Sequence, residues 1–212
     1  MYHSGMRLIL ASASPRRTDL LRAAGYDFDV EPAHVDESEL AGEPPGAYVL
    51  RVAAMKARTV AARHPEDIIL AADTTVVVDG TMLAKPADDA DARRMLGLLS
   101  GRTHDVLTGV VLVRAGRESS AVIDTRVSFR LLTAEEINRY VASGEPHDKA
   151  GAYGVQGRAA RFVESVVGSY SNVVGLPVGA VRALLEAEGL APHDAARADG
   201  WAEPAPFDRA DS

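Results

Sequence analysis

Cysteine is absent from the 212-residue chain. That removes disulfides, zinc-thiolate sites, iron-sulfur clusters and thiol nucleophiles together, and it fits a reducing compartment, so a cytoplasmic protein is expected. Long apolar runs are missing as well. No stretch reaches the roughly 18 consecutive apolar residues that a membrane span needs, and the N-terminus lacks a charged leader followed by a long apolar segment. Neither a membrane partner nor export is expected. Positive charge is in deficit. A net charge of −7 argues against DNA or RNA as a partner, because such binding neutralises phosphates over a broad face. A small, local phosphate site is still allowed.

Lysine is scarce. Lys56, Lys85 and Lys149 are the only three among 23 basic residues, which leaves 20 arginines. In a chain that uses arginine so freely, the few lysines mark places that need a compact ammonium rather than a guanidinium fork. Common nucleotide and hydrolase motifs are also lacking: there is no Gly-x-x-x-x-Gly-Lys-Ser/Thr, no Gly-x-Gly-x-x-Gly after the first strand and no Gly-x-Ser-x-Gly. None of the six histidines stands three or four residues from another, so a metal, if used, is expected on oxygen ligands, as Mg²⁺ or Mn²⁺.

With 47% hydrophobic residues the chain can bury one substantial core, or two lobes that share a sheet. Residues 1–189 are expected to form a single domain. Residues 190–212, mostly Ala, Asp, Pro and Arg, read as a weakly ordered tail.

The elements follow from pattern. Arg7 to Ala11 reads as a short strand, Ser14-Pro15 as an N-cap with proline at the first helical position, and Gly25 as the stop of that helix. Arg16 and Arg17 then sit in the first turn. Cations there oppose the helix dipole, so the two arginines are either simply solvated or, with the turn amides, hold a phosphate. Tyr26 to Val30 is a second strand, followed by an acidic loop with Asp36, Glu37 and Glu39. A helix over Pro45 to Arg63 places Val49, Val52, Ala53, Lys56 and Val60 on one stripe. Lys56 therefore lies on the apolar face, where it either snorkels to the rim or faces a cleft.

Ile68 to Val78 is the most strand-like segment, and Asp73 is its single charge. A carboxylate among apolar strand residues needs a partner: a cation or metal, or, for an edge or strand-end aspartate, backbone groups that it caps. Asp79-Gly80 is a two-residue hairpin signal. Pairing Val78 with Thr81 brings Asp73 and Lys85 to the same end of that hairpin but on opposite faces, unless the strand ends or bulges near Pro86. Asp88 or Asp89 caps a helix through Leu99. Strands are expected over Thr103 to Arg114 and Ser119 to Leu132, with Gly116 in the turn between them. Thr133 and Glu136 form a capping box for a helix that stops at Gly144. A glycine-rich loop over Glu145 to Gly157, with two acids, a lysine, a tyrosine and Gln156, reads either as ligand-facing or as a surface connector. A last hairpin over Arg161 to Val174 precedes a helix from about Pro177.

Five ordered segments carry a resemblance. Leu10-Ala11-Ser12-Ala13-Ser14-Pro15-Arg16-Arg17, Ala72-Asp73-Thr74, Lys85-Pro86, Leu99-Ser100-Gly101-Arg102-Thr103-His104 and Asp148-Lys149-Ala150-Gly151-Ala152-Tyr153-Gly154-Val155-Gln156-Gly157 closely resemble the Maf family of nucleoside triphosphate pyrophosphatases, historically described as septum formation inhibitors. The resemblance runs from about Leu8 to Leu185. It implies a mixed α/β fold with an elongated twisted sheet, flanking helices and two lobes around a nucleotide cleft, a divalent cation, frequent dimerisation, and cleavage of a nucleoside triphosphate to the monophosphate and pyrophosphate.

Carried over by motif, Asp73 resembles the family's proton acceptor, and Ser12, Arg17, Lys56 and Lys85 its phosphate-binding positions. Asp36 or Glu37 resembles the metal-associated acid, together with Asp73. Arg16, Thr74 and Gln156 match positions that set base preference in the branch acting on dTTP and UTP. The loop from Lys149 to Gly157 resembles that branch rather than the one preferring 7-methyl-GTP. The rival class of function, implied by the older family name, is a non-catalytic regulator of septum formation.

Overall fold

The computed structural model describes residues 7–193; residues 194–212, most of the tail expected after Gly189, lie outside them. The architecture is mixed α/β. Strands β1 (Leu8–Leu10), β2 (Asp29–Val30), β3 (Ile68–Val78), β4 (Thr81–Leu83), β5 (Thr103–Arg114), β6 (Arg117–Phe129) and β7 (Val163–Val167) form one sheet in the order β2-β1-β3-β5-β6-β7, with β4 paired to β3. The helices are α1 (Pro15–Ala23), α2 (Pro45–Ala61), α3 (Asp89–Leu99), α4 (Ala134–Val141), α5 (Tyr170–Val174) and α6 (Val178–Ala187). No helix of the described residues is long and apolar enough to cross a membrane.

The chain divides into two compact units. The first holds the described residues up to Asp73, then Thr108–Ile123 and the segment from Gly175; the second holds Thr74–Leu107 and Asp124–Val174. The long strands β3, β5 and β6 each contribute residues to both units, and the boundary in β3 falls between Asp73 and Thr74.

In the first unit β1 pairs in parallel with β2 and with β3, in the register Leu10↔Val30 and Leu10↔Leu70. Strand period decides which face each residue takes. Leu8, Leu10, Ile68, Leu70 and Ala72 pack with Leu21 of α1, with Ala24 at its C-cap, and with Val178, Val181 and Leu185 of α6. Ile9, Ile69 and Ala71 pack on the opposite face with Ala53, Ala57 and Val60 of α2. Helices α1 and α2 thus cover opposite faces, and the chain leaves β1 to one side and returns to the other. That makes the carboxyl end of β1, which lies beside the middle of β3, a topological switch point, the usual place for a ligand in a parallel α/β sheet. Helix α2 sits very close to the sheet at Gly109, where a Cβ would meet the Val49 carbonyl carbon at 2.6 Å. Leu190 packs against the α1 face, and the backbone N–H of His193 donates to Gly25 O at 2.9 Å.

In the second unit the β3–β4 hairpin has the register expected from Asp79-Gly80, with Val78↔Thr81, Val77↔Met82 and Val76↔Leu83. Both turn residues take positive φ, 48° and 77°, the conformation of a type I′ turn. Pairing stops at Leu83. The next carbonyl, that of Ala84, accepts from Gly151 N at 3.2 Å instead of from a strand partner. The strand thus ends shortly before Pro86, one of the two irregularities expected there. An aromatic cluster forms the core here: Phe129 lies 4.7 Å from Tyr153 and 5.0 Å from His104, and Tyr140 packs 5.2 Å from Phe162 between ring centroids.

Three expectations need correction. The segment Tyr26 to Val30 gives a strand only at Asp29–Val30, because Tyr26 is drawn into the α1-side core. Arg161 to Val174 is not a hairpin. Val163–Val167 pairs with β6, and the chain then enters α5, whose Asn172 N donates to the Ser169 hydroxyl at 3.2 Å; a serine cap ends the strand signal. Ser14 occupies the N-cap of α1, but its side chain makes no cap hydrogen bond.

Candidate active site

Alternation along β3 puts Asp73 on the same face as Ile69 and Ala71, the face covered by α2. On α2 the apolar stripe brings Lys56 to meet it. Lys56 is 7% exposed and Asp73 6%, so each charge needs a partner. The Lys56 Nζ donates to Asp73 Oδ1 at 2.8 Å and lies 2.8 Å from Glu37 Oε1. Lys56 does not snorkel to the rim: the buried ammonium bridges two carboxylates.

Glu37 reaches this point because its loop is fastened to α2. The Tyr48 hydroxyl donates to Glu37 O at 3.0 Å, and Arg51 Nη2 donates to Ser38 O at 2.9 Å while its guanidinium also grips Glu43. Burial and the nearby charges of Asp73 and Glu37 push the Tyr48 phenol up to about 12, so it stays a donor at neutral pH. Sequence reading missed Tyr48 and Arg51. The available signal was spacing, since Tyr48, Val52 and Lys56 follow one another at four-residue steps along one helical stripe.

Asp36 stands apart from this group. Its Oδ1 accepts from Ser38 N at 2.9 Å and from the Ser38 hydroxyl at 2.6 Å, and these bonds hold its carboxyl below the ordinary range. Glu37 is the neighbouring acid whose carboxylate meets Asp73 across Lys56. Among the described residues no three His, Cys, Asp or Glu side chains are grouped as a metal cage. Two carboxylates converging on one cation nevertheless suit Mg²⁺ or Mn²⁺, which take one or two protein carboxylates and complete their shell with water and substrate phosphates.

At the end of β1 the buried Ser12 hydroxyl accepts from Ser14 N at 3.2 Å and from Arg17 Nη1 at 3.3 Å. Arg17 also donates through Nε to Gly175 O at 2.8 Å and through Nη1 to Ala72 O at 2.7 Å. Burial lowers its pKa, opposed by the charge of Asp73. Arg16 is half-buried in the first turn of α1. Ser12, Arg17, Glu37, Lys56 and Asp73 therefore all belong to the first unit.

Thr74, Lys85 and Gln156 belong to the second unit. Lys85 is exposed just beyond β4, and Gln156 is exposed in the glycine-rich loop. That loop is fixed from within. The Glu145 carboxylate accepts from the Tyr140 hydroxyl at 3.0 Å and from Arg158 N at 3.1 Å, Lys149 Nζ donates to Glu145 O at 2.7 Å, and the Tyr153 hydroxyl lies 2.8 Å from His104 Nε2. Lys149 and His104, both in motif segments, are engaged in holding the loop.

The family model for Maf-like proteins matches residues 7–188. A protein of Koribacter versatilis named dTTP/UTP pyrophosphatase is 52% identical over 189 residues, covering 89% of this chain and 98% of its own. Proteins with the same name from Symbiobacterium thermophilum and Myxococcus xanthus are 55% and 54% identical, covering 81% and 86% of this chain and 89% and 93% of theirs. Among solved structures, a HAM1 protein from Coxiella burnetii shares the fold at 14% identity, with a TM-score of 0.51 over 86% of this chain and all of its own. By the extent of the family match and the identity to these relatives, the chain belongs to the Maf family.

Proposed function

We propose that this chain is a nucleoside triphosphate pyrophosphatase that hydrolyses dTTP and UTP to the monophosphate and pyrophosphate. The observation that carries the reading is the buried Asp73 carboxylate, held 2.8 Å from Lys56 Nζ in the middle of β3, just past the stretch that pairs in parallel with β1. Relatives named dTTP/UTP pyrophosphatase, at 50–55% identity, support the substrate class.

In this reading water attacks the α-phosphorus, the bond from that phosphorus to the α,β-bridging oxygen breaks, and pyrophosphate leaves. Asp73 accepts the proton of the attacking water. Lys56, already desolvated, neutralises phosphate charge as it builds, an effect strongest where water is excluded. Lys85 and the Ser12 turn contribute further phosphate contacts. Glu37 and Asp73 would hold a divalent cation, Mg²⁺ or Mn²⁺, which when bound would supply charge stabilisation for the phosphates. Arg16, Thr74 and Gln156 set base preference; the Gln156 amide offers a donor and an acceptor, matching the carbonyl and N–H of uracil or thymine.

A panel of nucleoside triphosphates assayed for pyrophosphate release with Mg²⁺ and with Mn²⁺ tests the reading. The expected result is highest kcat/KM with dTTP and UTP. Preference for 7-methyl-GTP would move the chain to the other branch, and inactivity on every nucleotide would favour a regulatory role.

A further inference from the structure

Strand β1 ends one step too early to complete its ladder with β3. Its last register pair is Leu10↔Leu70, and the final bond on that side is Ala11 N–H to Leu70 O at 2.8 Å. Successive carbonyls on one edge of a strand are two residues apart, so the next acceptor facing β1 is Ala72 O. The chain has by then turned away at Ser12. Arg17 fills the vacated place: its Nη1 donates to Ala72 O at 2.7 Å, and its Nε donates to Gly175 O at 2.8 Å, ahead of α6. The Ser12 hydroxyl takes a third guanidinium bond at 3.3 Å.

The Ala72 carbonyl shares one rigid peptide plane with the nitrogen and Cα of Asp73. Fixing that oxygen therefore fixes the peptide plane from which Asp73 departs and narrows the directions its side chain can take. We propose that Arg17 is a positioning residue for Asp73, acting through the Ala72 peptide, rather than a ligand of the substrate phosphates. Only the planar fork does this. It meets a strand carbonyl, a loop carbonyl and a hydroxyl together through separate nitrogens, whereas a lysine ammonium in its place carries its three donors on one nitrogen and cannot span the same acceptors. The role rests on the proposed pyrophosphatase reaction, with Asp73 as proton acceptor.

The test uses the full chain with Arg17→Gln and Arg17→Lys. For dTTP with Mg²⁺, both variants are expected to lose kcat by about 30-fold or more, the scale of a misplaced reacting group. KM and the inhibition constant of inorganic pyrophosphate stay within about threefold of the unaltered chain, the signature of an interaction felt mainly in the transition state. A pyrophosphate inhibition constant raised tenfold or more with kcat retained would make Arg17 a phosphate ligand and overturn the proposal. Unchanged kcat with a lowered Tm, or failure of both variants to fold cooperatively, would reduce Arg17 to a purely structural residue and overturn it too. Amide hydrogen exchange supplies a readout independent of turnover: Arg17→Gln should speed exchange at Asp73 and Thr74 while leaving Ile69 and Leu70 protected, and uniform protection would contradict the proposal. A chain inactive on every nucleotide but showing that local exchange change would sink the reaction and leave the positioning intact.

Discussion

A methyl group added at Gly109 tests how tightly helix α2, and with it Lys56, is set against the sheet. In Gly109→Ala the new carbon would stand 2.6 Å from the carbonyl carbon of Val49, 2.7 Å from its oxygen and 2.8 Å from Leu50 N. All three are backbone atoms, so no side chain can swing aside. Ordinary contact begins at 3.4 Å, so helix and strand must part by about 0.8 Å (3.4 − 2.6). Overpacking of this kind costs about 1–3 kcal/mol, and in a chain of this size each kcal/mol lowers Tm by about 2–4 °C. A Tm lower by about 2–12 °C is expected.

The same displacement reaches the site. Lys56 lies two helical turns beyond Val49. Moving it by 0.8 Å stretches the 2.8 Å contact with Asp73 to as much as about 3.6 Å, beyond hydrogen-bonding range. Turnover should fall about tenfold or more, since ångström-scale misplacement is costly in catalysis. Thermal unfolding and pyrophosphate release measured on the same preparation check both effects. A variant with Tm within about 1 °C of the parent and unaltered kcat would refute the reasoning, and would mean that α2 is free to adjust without cost to Lys56.

Two other predictions concern His104 and the Lys56 ion pairs. Burial holds His104 neutral, with its pKa down at about 4 against an ordinary 6.5. Below pH 6.5 the unfolded chain gains a proton there that the folded chain refuses, so stability should fall as pH drops from 6.5 towards 4, by on the order of 3 kcal/mol, and level off below. Urea titrations should show that slope flattened in His104→Phe, and an equally steep fall in the variant would contradict the assignment. Separately, the Lys56 ammonium occupies the point on which Asp73 and Glu37 converge. In the free chain Lys56→Met should therefore bind Mn²⁺ about tenfold more tightly, as measured by electron paramagnetic resonance without nucleotide; unchanged or weaker binding would contradict that competition.

Local chemistry made much of the fold legible. β3 and β5 have the bounds their β-branched runs announce, Asp88 caps α3, and Thr133 and Glu136 close a full capping box. The charged anomalies were informative for a physical reason: Asp73 and Lys56 each break an apolar pattern, and a buried charge must find its opposite. What stayed hidden depends on contacts between residues far apart in the chain. The bond from Arg17 to Ala72 O spans 55 residues and the one to Gly175 O spans 158, and no local pattern records that a strand stops one residue short of a carbonyl. Asp36 and Glu37 could not be told apart because only the Ser38 turn and the Tyr48 contact decide which of them faces α2. The segment after β7 misled because the valines of α5 read as another strand, while the Ser169 cap at its start carries the deciding hydrogen bond.

The central claim is that Asp73 takes the proton of the water that attacks the α-phosphorus. Single-turnover release of pyrophosphate from dTTP by Asp73→Asn, with Mg²⁺ saturating, tests it most directly. The change keeps the shape of the side chain and removes its basicity and charge. A rate lower by about 10²- to 10⁴-fold or more is expected, the usual contribution of a general base, with circular dichroism and Tm showing that the variant is folded. A folded Asp73→Asn that releases pyrophosphate at near-parental rate would contradict the account.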